Sequence, residues 1–133
     1  MKKNTKSCKS GTEESAEPEI LVSALARLAG IRYLTSLSAQ LATRYGLSQH
    51  GPVGDRLEVF DILWVVSDIL NGRQVVQWHR TPKGAAFHID LLSYFPGGQE
   101  PEAIALVVTL DTAAQPSRLH LAMADEDRRR RKH

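Results

Sequence analysis

Between Leu57 and Leu70 polar side chains are confined to Glu58, Asp61, Ser67 and Asp68, so this stretch carries the densest apolar pattern in the chain. The spacing predicts a helix over 55–70 that other parts of the protein must cover on most sides. Asp55 can cap its first turn while Glu58 reaches back to the Asp55 amide, a reciprocal arrangement that satisfies exposed backbone donors. Asn71-Gly72 supplies the stop. The segment is too short, and too polar at Asp61 and Ser67, to span a bilayer.

After Gly72 the pattern changes to period two, with Val76, Trp78 and Arg80 on one face and Val75, Gln77 and His79 on the other. Thr81-Pro82-Lys83-Gly84 has the composition of a type I turn. Closing a hairpin there sets Trp78 opposite Phe87, Val76 opposite Ile89 and Gln77 opposite His88. A slip of one residue would throw Trp78 and Phe87 to opposite faces, so the agreement of the apolar faces favours this register. Pro96-Gly97-Gly98 breaks the chain. Alternation resumes at Ile104, Leu106, Val108 and Leu110 and again at Leu119, Leu121 and Met123, predicting a second hairpin. Its expected pairs are Val108 with Leu119, Leu106 with Leu121, Thr109 with Arg118, and Val107 with His120.

Upstream, Pro18 and Glu19 suit the first turn of a helix. Leu21, Ala24, Leu25, Leu28 and Ile31 form one apolar series at helical spacing, and Leu34, Leu37, Leu41 and Tyr45 form another. With Gly30 between them, residues 18–46 read as one kinked helix or two packed ones. The expected architecture is α+β, with two or three N-terminal helices packed on a four-stranded antiparallel sheet made of two hairpins. Trp64 and Trp78 are expected in the core between helix and sheet.

The chain has 133 residues, enough for one domain with its own core. Residues 18–124 carry the apolar pattern. Residues 1–17 are rich in Lys, Ser, Thr and Glu and read as a disordered charged tail, and residues 125–133 as a second tail, acidic and then basic. Lys2 and Lys3 are not followed by an apolar run, so no secretory signal is expected. Cys8 is the single cysteine, which precludes an internal disulfide and suits a reducing, cytoplasmic compartment. The net charge of +2 arises at the C-terminal end: eight basic side chains between Ile20 and Ala124 are matched by eight acidic ones.

Three groups of residues are candidates for chemistry. The first is 37–48, where Ala42, Gly46 and Leu47 resemble the first helix and turn of a helix-turn-helix DNA-binding motif. The resemblance implies that Arg44 lies near nucleic acid, but Pro52 and its flanking glycines fall where the recognition helix of that family runs. The second is Arg128, Arg129, Arg130, Arg131 and Lys132, a basic run able to neutralise phosphates without reading sequence. The third comprises His79, His88, Asp90 and His120, which the registers place on the sheet face opposite the apolar one. Two histidines and a carboxylate can form a facial metal set or an acid–base site. No dense ligand motif accompanies them, and the expectation is that they hold no metal.

Glycine-rich phosphate loops and nucleophile elbows are absent from the sequence, and Cys8 has no structured base beside it. No catalytic residue and no cofactor is assigned. The functional expectation is a cytoplasmic, non-enzymatic regulatory protein that contacts nucleic acid weakly through its basic end. It would meet a protein partner or a second copy through its folded body, with no membrane partner. An adaptor or inhibitor with no nucleic-acid role is the first alternative, and a small metal-dependent or acid–base enzyme using the His/Asp face is the second.

Overall fold

A computed structural model describes residues 19–47 and 57–126. The elements in chain order are β1 (Ile20–Leu21), α1 (Ser23–Leu28), β2 (Leu34–Leu37), α2 (Ala39–Arg44), α3 (Leu57–Leu70), β3 (His79–Thr81), β4 (Gly84–Ser93), β5 (Glu102–Asp111) and β6 (Arg118–Met123). A further helical turn opens at Ala124. One six-stranded sheet runs in the order β1-β2-β6-β5-β4-β3. Every neighbouring pair is antiparallel except β2 with β6, which is parallel.

This corrects the expected four-stranded antiparallel sheet of two hairpins. The expected helical stretch 18–46 is not continuous helix: its described residues, from 19 on, fold as strand, helix, strand, helix, and the two short strands extend the sheet. Gly30, at φ 97°, ends α1 as the Ile31 amide donates to the Ala26 carbonyl. A Cβ at Gly30 would also meet Ser67 Oγ at 3.0 Å, so the same residue lets the end of α1 close on α3. Leu34 and Leu37 fit helical spacing equally well, but Thr35 and Ser36 between them suit a strand once a neighbour supplies its ladder. That neighbour is β6, with Leu34↔Arg118, Thr35↔Leu119, Ser36↔His120 and Leu37↔Leu121 in register. The buried Thr35 is fully engaged: its amide donates to Ser23 Oγ (2.9 Å), its hydroxyl to the Tyr33 carbonyl (2.9 Å), and its carbonyl accepts from the Val22 amide (2.8 Å).

The first hairpin keeps the expected register at Thr81↔Gly84 and His79↔Ala86, but only three residues of β3 enter the ladder. Trp78 still meets Phe87 edge to face, with centroids 4.7 Å apart. Gly84 is squeezed between β3 and β5; a Cβ there would lie 2.1 Å from the Leu110 carbonyl oxygen. The second hairpin is shifted by two residues from expectation, pairing Leu106↔Met123, Val108↔Leu121, Thr109↔His120 and Leu110↔Leu119. A slip of two preserves every inward face, so the apolar pattern could not distinguish the two registers. The longer connection is held by the Asp111 carboxylate, which accepts from the Ala113 and Ala114 amides at 3.0 and 3.1 Å. The two hairpins are joined by β4 and β5, paired over ten residues from Gly84↔Asp111 to Ser93↔Glu102.

α1, α2 and α3 all lie on one face of the sheet. Val59, Ile62, Leu63 and Val66 of α3 bury against Phe87, Leu106, Val108, Leu119 and Leu121, and Leu25, Leu41 and Tyr45 complete the same cluster. The solvent stripe of α3 differs from expectation: Ser67 is buried, bonded by the Asn71 amide group, whereas Trp64 is 48% exposed, its ring 5.8 Å from that of Phe60. Trp78, 42% exposed, also stands at the core's edge. These exposures correct the placement of both tryptophans in the core. The expected caps at Asp55 lie outside the described residues.

Burial therefore ranks the aromatics. Phe87→Ala is expected to cost about 3–5 kcal/mol in a urea titration, the usual cost of truncating a fully buried aromatic, and Trp64→Ala less than about 1.5 kcal/mol. Equal losses for the two would contradict the orientation of α3. Gly84→Ala is expected to lose upwards of about 3 kcal/mol, because its Cβ would meet backbone rather than a movable side chain.

Candidate functional site

The sheet face turned away from the helices is built from small side chains and ringed by polar and apolar ones. Successive strands contribute Ser36, His120, Thr109, Ala86 and His79 along one cross-strand row. The next row carries Ala122, Val107 and His88, followed by Ala105 with Asp90 and Ala103 with Leu92. Alanine and serine between longer neighbours are shielded without a covering layer, which is why Ser36, Ala86 and Val107 count as buried on a face that bears no described helix. Apolar side chains stand out at its two margins. Leu21 is 60% exposed at one edge, and Leu92 and Tyr94 are 68% and 55% exposed near the other. Asp90, Leu91, Leu92, Ala103, Ile104 and Ala105 line a shallow depression of about 430 Å³ beside that second edge.

His79 and His88 come together on this face, their rings edge to face with centroids 5.8 Å apart. Asp90 follows two residues along β4. His120 does not join them, because β5 and β4 with Thr109 and Ala86 intervene along the row. Among the described residues no group of three or more His, Cys, Asp or Glu side chains is placed to hold a metal ion.

His120 belongs instead to a cluster that the sequence reading missed. Ser36 Oγ lies 2.8 Å from His120 Nδ1, and Glu19 Oε2 lies 3.3 Å from the same nitrogen. Arg118 Nη1 approaches the other Glu19 oxygen at 3.8 Å. The residue types are those of a hydrolytic triad, but the connectivity differs. A serine nucleophile and its orienting carboxylate must address opposite ring nitrogens for the imidazole to pass a proton between them. Here both contacts are to Nδ1, an arrangement that differs from that relay and that links Glu19 and β2 to β6. No sequence signal could have assembled it, because it depends on the parallel pairing of β2 with β6.

Arg44 sits on the helix side of the sheet. Its guanidinium lies 4.3 Å from the Phe95 ring centroid and donates to Glu102 at 2.8 Å, joining α2 to the start of β5. Arg73 is likewise matched by Asp68 at 3.2 Å. The motif-like segment around Arg44 is a six-residue helix that follows a strand and ends at Gly46, with φ 73°. Its continuation through Pro52, and the basic run Arg128 to Lys132, lie outside the described residues. Glu126, in the middle of the acidic triplet Asp125-Glu126-Asp127, is bound into the fold. Its carboxylate accepts from Ser38 Oγ at 2.8 Å and from the Met123 amide at 2.9 Å.

Beneath Arg44, Tyr45 is wholly buried, its ring 4.8 Å from that of Phe95 and its hydroxyl 2.6 Å from Ser93 Oγ. Burial pushes the phenol above its ordinary pKa, and the Ser93 hydrogen bond offsets part of that rise. Among the described residues no helix is long and apolar enough to cross a membrane. No protein family, curated protein or solved structure matches the chain.

The Tyr45 environment makes stability depend on alkaline pH. The folded state holds the phenolic proton more tightly than the unfolded state does. The resulting contribution is complete below the unfolded phenol's pKa of about 10 and is lost as pH rises beyond it. Tyr45→Phe is expected to cost about 1 kcal/mol near neutrality through the lost hydrogen bond. The variant should also show a shallower fall in melting temperature above that pH than the parent chain; parallel alkaline profiles would refute it.

Proposed function

We propose that this chain is a small non-enzymatic interaction protein whose folded body binds a protein partner through the sheet face on which no described helix packs. In this reading the basic run Arg128 to Lys132 adds weak, sequence-independent contact with nucleic acid. The observation that carries it is the outer face itself. Exposed Leu21, Leu92 and Tyr94 stand at the margins of rows in which small side chains such as Ser36, Ala86, Ala103, Ala105 and Ala122 alternate with His79, His88, His120 and Asp90, a mixed apolar and polar surface of the kind that protein partners cover. The electrostatics of the body support a protein rather than a nucleic acid as its partner. Arg44, Arg73 and Arg118 each lie within ion-pair distance of a carboxylate, so they do not form a field of unmatched charge along a groove. The connectivity of Ser36, His120 and Glu19 supports the non-enzymatic side of the reading.

Two measurements test the two halves. Affinity capture from the source cells with the parent chain and with Leu92→Glu, compared quantitatively, should show at least one partner lost from the variant while its melting temperature stays within a few degrees. An unchanged partner set would count against the outer face. In anisotropy titrations with duplex DNA, deletion of 128–133 should remove most binding. The log–log salt slope of the full chain should be no steeper than about −4.5, the value for five phosphate contacts. Undiminished binding by the truncated chain would move the contact to the body.

A further inference from the structure

β4 presents an edge that the described fold leaves open. It pairs with β5 along its whole length, but on its other side β3 covers only Gly84, Ala85 and Ala86. From Phe87 to Ser93, among the described residues, no strand completes the ladder. Proteins usually blunt such an edge with proline, lysine, a bulge or a covering element. Phe87-His88-Ile89-Asp90-Leu91-Leu92-Ser93 contains no proline or lysine, and its pairing with β5 runs without a bulge. The strand is therefore a flat template.

We propose that this edge pairs antiparallel with the same edge of a second copy of the chain, forming a twofold dimer with one continuous sheet and all helices on one face. The inference rests on the reading of the folded body as an interaction surface and names one of its partners. A twofold axis normal to the sheet must set one residue of β4 opposite its own copy, so the candidate registers are few. Centring on His88 opposes two histidines. Centring on Asp90 opposes two carboxylates directly, which is unfavourable on adjacent strands. Centring on Ile89 opposes His88 with Asp90 of the second copy, twice, on the outer face, and Phe87 with Leu91 of the second copy on the inner face. Charge complementarity selects this last register. Its ladder runs from Phe87 to Leu91 and stops where β3 occupies the edge, setting the exposed Leu92 beside His79 of the second copy.

Sedimentation velocity on the full chain, in a series rising to about 200 µM, should reveal a reversible dimer, since a short edge ladder supports only modest affinity. His88 and Asp90 are exposed, so substitutions there leave the core intact. His88→Asp should weaken the dimer about tenfold or more by opposing two carboxylates twice, and His88→Lys should tighten it. The exchanged variant carrying both His88→Asp and Asp90→Lys should recover the parent affinity. A chain that stays monomeric throughout would overturn the proposal while leaving the partner-capture result untouched. A dimer indifferent to residue 88, or one not restored by the exchange, would overturn the register and with it the argument for a second copy.

Discussion

The parallel ladder between β2 and β6 holds the architecture together. It joins a segment near residue 35 to one near residue 120, and through it β1 and β2 are laddered onto the rest of the sheet. Its polar groups are satisfied on both faces. On the inner face the Thr35 backbone and hydroxyl are bonded to Ser23, Tyr33 and Val22; on the outer face Ser36 meets His120. Past its end the Ser38 amide donates to the Leu121 carbonyl, and the Ser38 hydroxyl accepts from the Leu41 amide while donating to Glu126. One short strand thus starts α2, anchors the chain beyond β6 and places Glu19 against His120. Buried polar groups of this kind are costly when unpaired, so the segment is worth ordering only when all of these partners arrive together.

That constraint divides the molecule into two faces. All three helices bury their apolar sides on one, where Phe87, Leu106, Val108, Leu119 and Leu121 meet α3. On the other face small residues alternate with longer polar ones; among the described residues its large exposed apolar side chains stand at the margins, and β4 past Ala86 has no second strand beside it. On that face the His120 imidazole, met on Nδ1 by both Ser36 and Glu19, ties β2 and the start of the described chain to β6.

The sequence by itself determined the elements whose signal is local. The dense apolar run of 57–70, the turn at Thr81 to Gly84 that fixes His79 opposite Ala86, and the inward faces of β4, β5 and β6 all follow from periodicity and turn chemistry. The tertiary structure alone decided the rest. Leu34 and Leu37, three residues apart, fit helical spacing and fall on opposite faces of a strand, and only the backbone of β6, more than eighty residues away, makes the extended form the one with its hydrogen bonds completed. The two-residue shift of the second hairpin keeps every face unchanged and so leaves no trace in an apolar pattern; the Asp111 turn selects it. The separation of His120 from His79 and His88, and its union with Ser36 and Glu19, follow from strand order. Strand order is set by which edges can be covered across the whole sheet, and no short window of residues encodes it.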